Sequence, residues 1–557
     1  MDITSIRQKT AETGALSLLL VFLSGYVLFT MLFGFYLSVF VALLAPALVL
    51  GVLFPRAAML ASLVMTILFE RFYTLSPVIW NDIEYKLYPL DLVLGIAFVS
   101  AFVSWMKNFH AVSDVAHSYP HPSVPLPPPR LEDSALPLRQ GEWGQPARNA
   151  SRNDAGGLPS GRGTGDRILR FTFIDWMLIA FFLLVSGILV ASLFGGTGTS
   201  LQAAFSTWKN YVFYGLSYFL VRKLFRTGDD MRHAAKVLLS AVTVAIVFLV
   251  IGIVRGEGLW TEFTPLSTSG TRILAFPHAF YYSLASVAIL FSARLWISER
   301  LKRNLLFLLL AVLTIGIVGS LMRHLWLGIA GALVFGFVFF PYECRKTLLR
   351  LGAYVGAAVL AVSVLGFIAF SLDSGSDLSV RIGQHAGTVV ERISSMNDPY
   401  DESIAWRQEV WKSSLAKFAE SPVFGVGFGA QVPVELADYR AFVEVRDMHN
   451  SWLAMLIQTG IVGMGVFALF LGSLFVKLFR LRLTDDTLRA ARQVLLGLIV
   501  FQSLVFFSQP YLETNLLGLF FWVTLGFARS LIGMERESAP ASMNIPSEEF
   551  SAMSRPV

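Results

Sequence analysis

Long apolar segments recur along the chain, and they restrict its possible folds more than any other feature. A window of about 17–25 mostly apolar residues is long enough to cross a bilayer as a helix. Fourteen such windows are found, at roughly 14–33, 35–54, 56–73, 89–106, 173–194, 207–225, 232–254, 276–296, 304–321, 324–341, 348–371, 450–476, 488–509 and 512–532. The sequence therefore predicts an all-α polytopic integral membrane protein with about 14 transmembrane helices.

Composition agrees with this class and excludes several others. The 557 residues are 55% hydrophobic and 15% charged, whereas soluble domains carry about 25% charged residues. The net charge of +6 needs no nucleic-acid partner, because Lys and Arg in cytoplasmic loops orient membrane spans. Cys344 is the sole cysteine, which excludes an internal disulfide and a cysteine-based metal site.

The distribution of basic residues predicts the topology. If the N-terminus is cytoplasmic, nearly every even-numbered connection between spans is rich in Lys and Arg, as at 222–226, 294–303, 345–350 and 477–482. The external connections 195–206 and 509–511 have no Lys or Arg, and 74–88 has only Lys86. Cytoplasmic connections carry the excess of positive charge in membrane proteins. Both termini are therefore expected in the cytoplasm.

The same pattern divides the chain into six segments. They are spans 1–4 at 1–106, a cytoplasmic insertion at 107–172, spans 5–11 at 173–371, an external loop domain at 372–449, spans 12–14 at 450–532 and a cytoplasmic tail at 533–557. The insertion is rich in Pro, Gly, Ser and Arg, a composition that buries too little apolar surface to fold. It is predicted to be disordered, with a partner-binding segment as the alternative, and the tail is predicted to be similar.

His449 is the leading catalytic candidate, because it lies where the long external loop re-enters the membrane. A neutral imidazole at neutral pH is available as a general base, and Asp447 lies two residues away. The alternative is a histidine that caps a helix or sits at the membrane interface.

Arg272 and Arg323 are the candidate anion-binding residues. Both lie in external turns, against the usual charge bias, and Arg323 lies in a turn that scarcely leaves the apolar phase. Two guanidinium groups match the oxygens of a pyrophosphate in pairs. The alternatives are an ordinary loop arginine for Arg272 and, for Arg323, a side chain that reaches lipid phosphate.

Secondary candidates come from the same external face. The 403–420 segment has the spacing of an amphipathic helix, and most of its apolar residues Trp406, Val410, Trp411, Leu415 and Phe418 are expected to pack. Arg407 projects from this helix, either towards the site or into solvent. His278 and His324 are external histidines of lower rank, and Asn450 follows the leading candidate directly.

Several short blocks resemble one known family. His449-Asn450, nine residues, Gly460, two residues and Gly463 match the H-N-x9-G-x-x-G signature of the O-antigen ligase and polymerase superfamily. The segment 407–427 resembles the block that precedes this signature. The segment 320–326 is similar to the family's serine-arginine-tryptophan turn, although two residues separate Ser320 from Arg323.

The resemblance implies a function in building the bacterial cell envelope. The family moves a glycan en bloc from undecaprenyl pyrophosphate to an acceptor hydroxyl at the periplasmic face of the inner membrane, without metal or other cofactor. By position, Arg272 and Arg323 would bind the pyrophosphate, and His449 would take the acceptor's proton. The acceptor would be lipid A-core, a growing glycan or a protein, for a ligase or a polymerase. A small-solute or bicarbonate transporter and a non-catalytic assembly scaffold remain as alternatives.

Overall fold

The computed structural model describes residues 3–34, 36–69, 78–80, 83–85, 89–118, 171–194, 200–255, 272–372, 387, 402–436, 439–513 and 517–538. Helices α1 to α9 are Ile3–Phe33, Leu37–Leu53, Pro55–Phe69, Pro89–Ser118, Phe173–Phe194, Leu201–Trp208, Ser217–Leu224, Gly228–Val244 and Ile246–Arg255. Helices α10 to α18 are Phe276–Phe291, Ala293–Trp296, Arg300–Gly319, Arg323–Phe339, Tyr342–Leu372, Glu402–Phe418, Ser451–Arg480, Asp486–Val505 and Leu517–Ser538.

Three kinds of shorter element interrupt the helices. A π-helix, Lys209–Phe213, follows α6, and a 3₁₀ turn, Val445–Asp447, precedes His449. Two antiparallel hairpins pair β1 (Val78–Trp80) with β2 (Ile83–Tyr85) and β3 (Gln431–Leu436) with β4 (Tyr439–Glu444). The sequence predicted only helices, so both hairpins are additions to the expected fold.

The chain is a multi-pass membrane protein. Among the described residues, 7 helical segments are long and apolar enough to cross a bilayer: Arg7–Thr30, Phe173–Phe194, Gly228–Val254, Arg300–Gly319, Ser451–Arg480, Asp486–Val505 and Leu517–Met534. Shorter apolar helices are Ser38–Leu53, Pro55–Phe69, Pro89–Ser104, Phe276–Phe291 and Arg323–Phe339. The predicted window 207–225 is broken by the π-helix, and 348–371 lies within α14. The count of fourteen spans stays a prediction.

The predicted disordered insertion was placed too early in the chain. Helix α4 continues to Ser118, so residues 107–118 are helical. Residues 119–170 lie outside the described part of the chain, as do 539–557 of the predicted tail.

The external loop domain has a small core of its own. Helix α15 covers most of the predicted 403–420 helix, and its Val410 is buried together with Val432, Val434 and Met448. Val432 and Val434 alternate with exposed residues along β3, as expected when one face of a strand packs. Trp406, Val410, Trp411 and Phe418 pack in or against this core as predicted, and Leu415 is the exception, since its side chain is 48% exposed.

The ends of four helices meet beside His449. The Ser451 N–H at the start of α16 donates to the Phe506 carbonyl just past the end of α17, at 2.8 Å. Helix α13 lies close against the same end of α17, since a Cβ at Gly328 would be only 2.7 Å from Val505 Cγ2. Small residues allow such close approach of membrane helices. Phe521, near the start of α18, packs against Phe506 with ring centroids 5.2 Å apart. The starts of α13, α16 and α18 therefore surround the end of α17.

Candidate active site

His449 has a strained backbone and a constrained ring. Its φ is 56°, in the left-handed region that costs a residue other than glycine about 1–2 kcal/mol. Asn450 caps α16, because its side-chain oxygen accepts the Leu453 N–H at 3.0 Å. The indole of Trp406 meets the imidazole of His449 edge-on, with ring centroids 5.3 Å apart. Strain at a polar residue of this kind is typical of functional sites.

The side-chain amide of Gln509 lies between two histidine rings. Its Oε1 is 3.2 Å from His449 Nδ1, and its Nε2 is 3.4 Å from His324 Nδ1. The other ring nitrogen of His324, Nε2, is 2.9 Å from the Tyr511 hydroxyl. A single short connection between α17 and α18 therefore contacts both histidines.

Positive charge acts on this pair of rings. Arg407 on α15 interacts electrostatically with His449 and His324, and Arg272 interacts with His324. Burial, together with the Arg407 guanidinium, lowers the pKa of His449 to about 4. The ring is consequently neutral at pH 7, with a nitrogen available to accept a proton.

The segments that carry Arg272 and Arg323 are joined through the backbone. The Ile273 N–H donates to the Gly319 carbonyl at 3.2 Å. The chain then turns sharply at Leu321, where φ is 57°, and Arg323 begins α13. Thus Arg272 and Arg323 both lie within a few residues of the Ile273–Gly319 hydrogen bond, and Arg323 directly precedes His324.

A buried carboxyl group supports the 509–513 connection from behind. The Ser451 hydroxyl is 2.6 Å from Glu513 Oε2 and 3.0 Å from the Gln509 carbonyl oxygen. The Tyr211 hydroxyl donates to Glu513 Oε1 at 2.7 Å. A hydroxyl has one proton to donate, so Ser451 hydrogen-bonds both oxygens only when Glu513 is itself protonated. Burial favours that form, since it raises the pKa of Glu513 to about 8.

The glycines of the signature serve the backbone. Gly460 interrupts α16 with φ 70°, and a Cβ there would lie 2.1 Å from the Val423 carbonyl oxygen. Gly425 has φ 79°, and a Cβ there would lie 2.4 Å from the backbone carbonyl carbon of Gln458. The hydrogen bonds that join the two segments run from Val426 N to Ile457 O, Gly427 N to Gln458 O, Ile461 N to Pro422 O and Val462 N to Val423 O. These close contacts and hydrogen bonds fix the loop domain to α16, the helix that follows His449.

The structure separates the predicted candidates. Arg272, Arg407, His324 and His449 come together, whereas Asn450 caps a helix. His278 is buried in α10. Its ring stacks on Phe248 of α9, with ring centroids 4.5 Å apart.

Sequence reasoning missed Gln509, Tyr511 and Glu513. These polar residues cluster in a very short connection between two apolar helices, and that clustering could have indicated them as site residues. No group of three or more His, Cys, Asp or Glu side chains suited to a metal ion is found in the described ranges.

Comparison with known protein families finds a match over part of the chain. Residues 305–468 match the family model described as O-antigen ligase. The matched stretch holds Arg323, His324, Arg407 and His449, while Arg272 and the 509–513 connection lie outside it. A search of the curated proteins found no match to the chain.

Proposed function

The chain belongs to the O-antigen ligase and polymerase superfamily through residues 305–468, and we propose that it moves a glycan en bloc from undecaprenyl pyrophosphate to an acceptor hydroxyl. The family supports glycan transfer of the ligase or polymerase type in a membrane. The finer proposal rests on one observation: His449 contacts Gln509, and the positive charges of Arg407 and Arg272 act on His449 and His324.

The reaction is a single displacement at the anomeric carbon. A bond forms between the acceptor oxygen and this carbon, while its bond to the pyrophosphate oxygen breaks. The electron pair leaves with undecaprenyl pyrophosphate, and the acceptor's proton passes to His449. One displacement inverts the anomeric configuration.

Arg272, Arg323 and Arg407 are proposed to hold the leaving group. Guanidinium groups form paired hydrogen bonds with phosphate oxygens, and the stabilisation is largest where negative charge develops in the transition state. Arg272 and Arg323 lie near the Ile273–Gly319 hydrogen bond, and Arg407 lies on α15. The charges of Arg272 and Arg407 both act on His324, which supports a shared anion site.

Binding of the pyrophosphate also prepares the base. A group with a pKa of about 4 accepts a proton weakly, because a general base works best with a pKa near the working pH. An anion beside Arg407 offsets the charge that depresses the pKa of His449. Hence we expect donor binding to raise this pKa, so that proton transfer becomes favourable only in the loaded site.

The proposed site faces the periplasm. His449 lies just before the start of α16, and Lys477 and Arg480 occupy the last turn, at the opposite end of this 30-residue helix. Because basic helix ends remain in the cytoplasm, the His449 end is expected outside. The expected location is the bacterial inner membrane.

The test is transfer by the purified protein in lipid vesicles, using a lipid-linked glycan donor and an acceptor. We expect His449→Ala, Arg272→Ala and Arg323→Ala to lose at least about 100-fold in rate. Arg232→Ala is the matched control, because this arginine is 53% exposed and lies on α8. Normal transfer by all three site variants would refute the proposal.

A deletion strain distinguishes ligase from polymerase. Loss of all long glycan chains from lipid A, with lipid-linked polymer accumulating, indicates a ligase. A single glycan unit on lipid A indicates a polymerase. Display unchanged from the parent strain would oppose both.

A further inference from the structure

Gln509 makes the contact that decides where the proton of His449 resides. We infer that Gln509 is a positioning residue: its side-chain carbonyl holds the proton on His449 Nδ1 and leaves Nε2 as the acceptor of the substrate's proton. The catalytic part of this inference rests on the function proposed above, whereas the tautomer itself does not.

The hydrogen-bond chain has a direction. Oε1 of Gln509 can only accept, so the nitrogen 3.2 Å away, His449 Nδ1, must donate. The amide Nε2 can only donate, so His324 Nδ1 accepts it at 3.4 Å. A neutral His324 then carries its proton on Nε2, which donates to the Tyr511 hydroxyl at 2.9 Å.

The backbone of Gln509 is anchored independently of the rings. The Gln509 backbone carbonyl accepts the Ser451 hydroxyl at 3.0 Å, and Ser451 is only two residues beyond His449. Trp406 limits the ring on another side through its edge-on contact. Backbone, amide and ring thus form one unit in which rotation of the imidazole breaks a contact.

The opposite amide orientation would remove the base. An NH₂ group facing His449 Nδ1 would require that nitrogen to accept, and the proton would move to Nε2. Nε2, which is unprotonated in the observed orientation, would then carry the proton and could not accept one from the substrate. A partner that fixes the histidine tautomer is a recurrent device in active sites.

The tautomer can be measured without any reaction. The chain has 8 histidines, so ¹⁵N-histidine protein is prepared in lipid vesicles, and the His449 signals are assigned by their loss in His449→Gln. At pH 7, ¹⁵N NMR should show a proton on Nδ1 and a bare Nε2. In Gln509→Met, which keeps the volume and removes both hydrogen bonds, the proton should redistribute towards Nε2.

A charged variant gives a second, different signature. In Gln509→Glu the carboxylate still accepts from Nδ1, so the tautomer should be retained. Its negative charge raises the pKa of His449, and the acid limb of the pH–rate profile should move to higher pH.

Kinetics separate positioning from folding. We expect Gln509→Met to lower kcat about 100-fold with less than about a twofold change in the donor KM. Gln502→Met is the matched control, since Gln502 is a buried glutamine of α17 bonded to Thr524 Oγ1 at 3.1 Å. The control should retain kcat within about threefold.

Two outcomes overturn the inference. One is a wild-type His449 with its proton on Nε2, and the other is a Gln509→Met spectrum and kcat unchanged from wild type. A wild-type protein that transfers no glycan would refute the proposed function, while the spectra would still decide the tautomer.

Discussion

Two buried polar clusters at different ends of the bundle are built in different ways. In the first, Asp175 at the start of α5 is fully buried and bonded to Arg222 at 2.9 Å, Arg529 at 3.1 Å and the Tyr218 hydroxyl at 2.9 Å. Opposite charges are in direct contact there. Ser192, near the other end of α5, instead accepts the Phe428 N–H of the loop domain.

The second cluster, around His449, is held by neutral groups on a strained backbone. Gln509 joins the two rings, and Arg407 acts on both through space. A buried charge needs a nearby partner to be tolerated, and the Asp175 cluster meets that need internally. The His449 cluster instead keeps a proton acceptor neutral beside positive charge, which suits an anionic substrate. We therefore propose that the first cluster serves folding and that the second serves chemistry.

The largest effect should come from Asp175→Asn. It would leave the guanidinium groups of Arg222 and Arg529 buried without the carboxylate, and breaking a buried pair costs about 3–5 kcal/mol. Thermal melting and the yield of monodisperse protein in detergent measure this loss. His449→Gln should melt within a few degrees of wild type; equal stability of the two variants would contradict the division between the clusters.

Arg407→Ala should lower glycan transfer about 10- to 100-fold, the value of a hydrogen bond to a charged group. It should also raise the pKa of His449 from about 4, because a repelling charge is removed. In the proposed reaction the neutral ring is the active form, so the acid limb of the pH–rate profile should move to higher pH. Lys417→Ala on the same helix, where Lys417 pairs with Glu420 at 2.6 Å, is the control and should leave both quantities unchanged.

Glu513→Gln should change how stability depends on pH. The carboxyl titrates at about 8 when folded and near 4.5 when unfolded, so in wild type only the unfolded chain loses the proton between these values. Wild-type stability should therefore fall as pH rises from about 4.5 to 8 and then level. The variant lacks this decline, and melting temperatures across the range test it; parallel curves would mean that Glu513 is ionised in the folded protein.

The smallest effect concerns the backbone of His449. Both His449→Ala and His449→Gly should be inactive, but the glycine variant should be more stable by about 1 kcal/mol. Glycine adopts a φ of 56° without the penalty that alanine pays. A glycine variant less stable than the alanine variant would show that this strain is absent in solution.

Sequence patterns predicted the parts of the fold that depend on local periodicity. The apolar windows 173–194 and 450–476 correspond closely to α5 and α16, and the spacing around Val410 predicted α15. Leu415 shows the limit, because spacing cannot decide which residues at the edge of an apolar face are covered. The π-helix at Lys209–Phe213 depends on tertiary contacts of Asn210 and Tyr211 with Glu513, and no local pattern indicates it.

The sequence indicated those residues of the candidate site whose side chains are ionisable and whose positions are unusual for a charge. His449, Arg272 and Arg407 were named from position and charge, and the structure brings their segments to His324. Gln509 was missed because it meets His449 across 60 residues of sequence, a pairing that only folding creates. Asn450 shows the converse, since this motif residue, next to the proposed base, serves as a helix cap.

The position of the 509–513 connection has a consequence for domain exchange. It lies 41 residues or more beyond residue 468, where the family match ends. A chimera that grafts only the matched stretch onto a relative would bring the imidazole without its own amide partner. We expect such hybrids to insert and fold yet transfer poorly, and to recover when the recipient also receives α17, the connection and the start of α18 as a cassette.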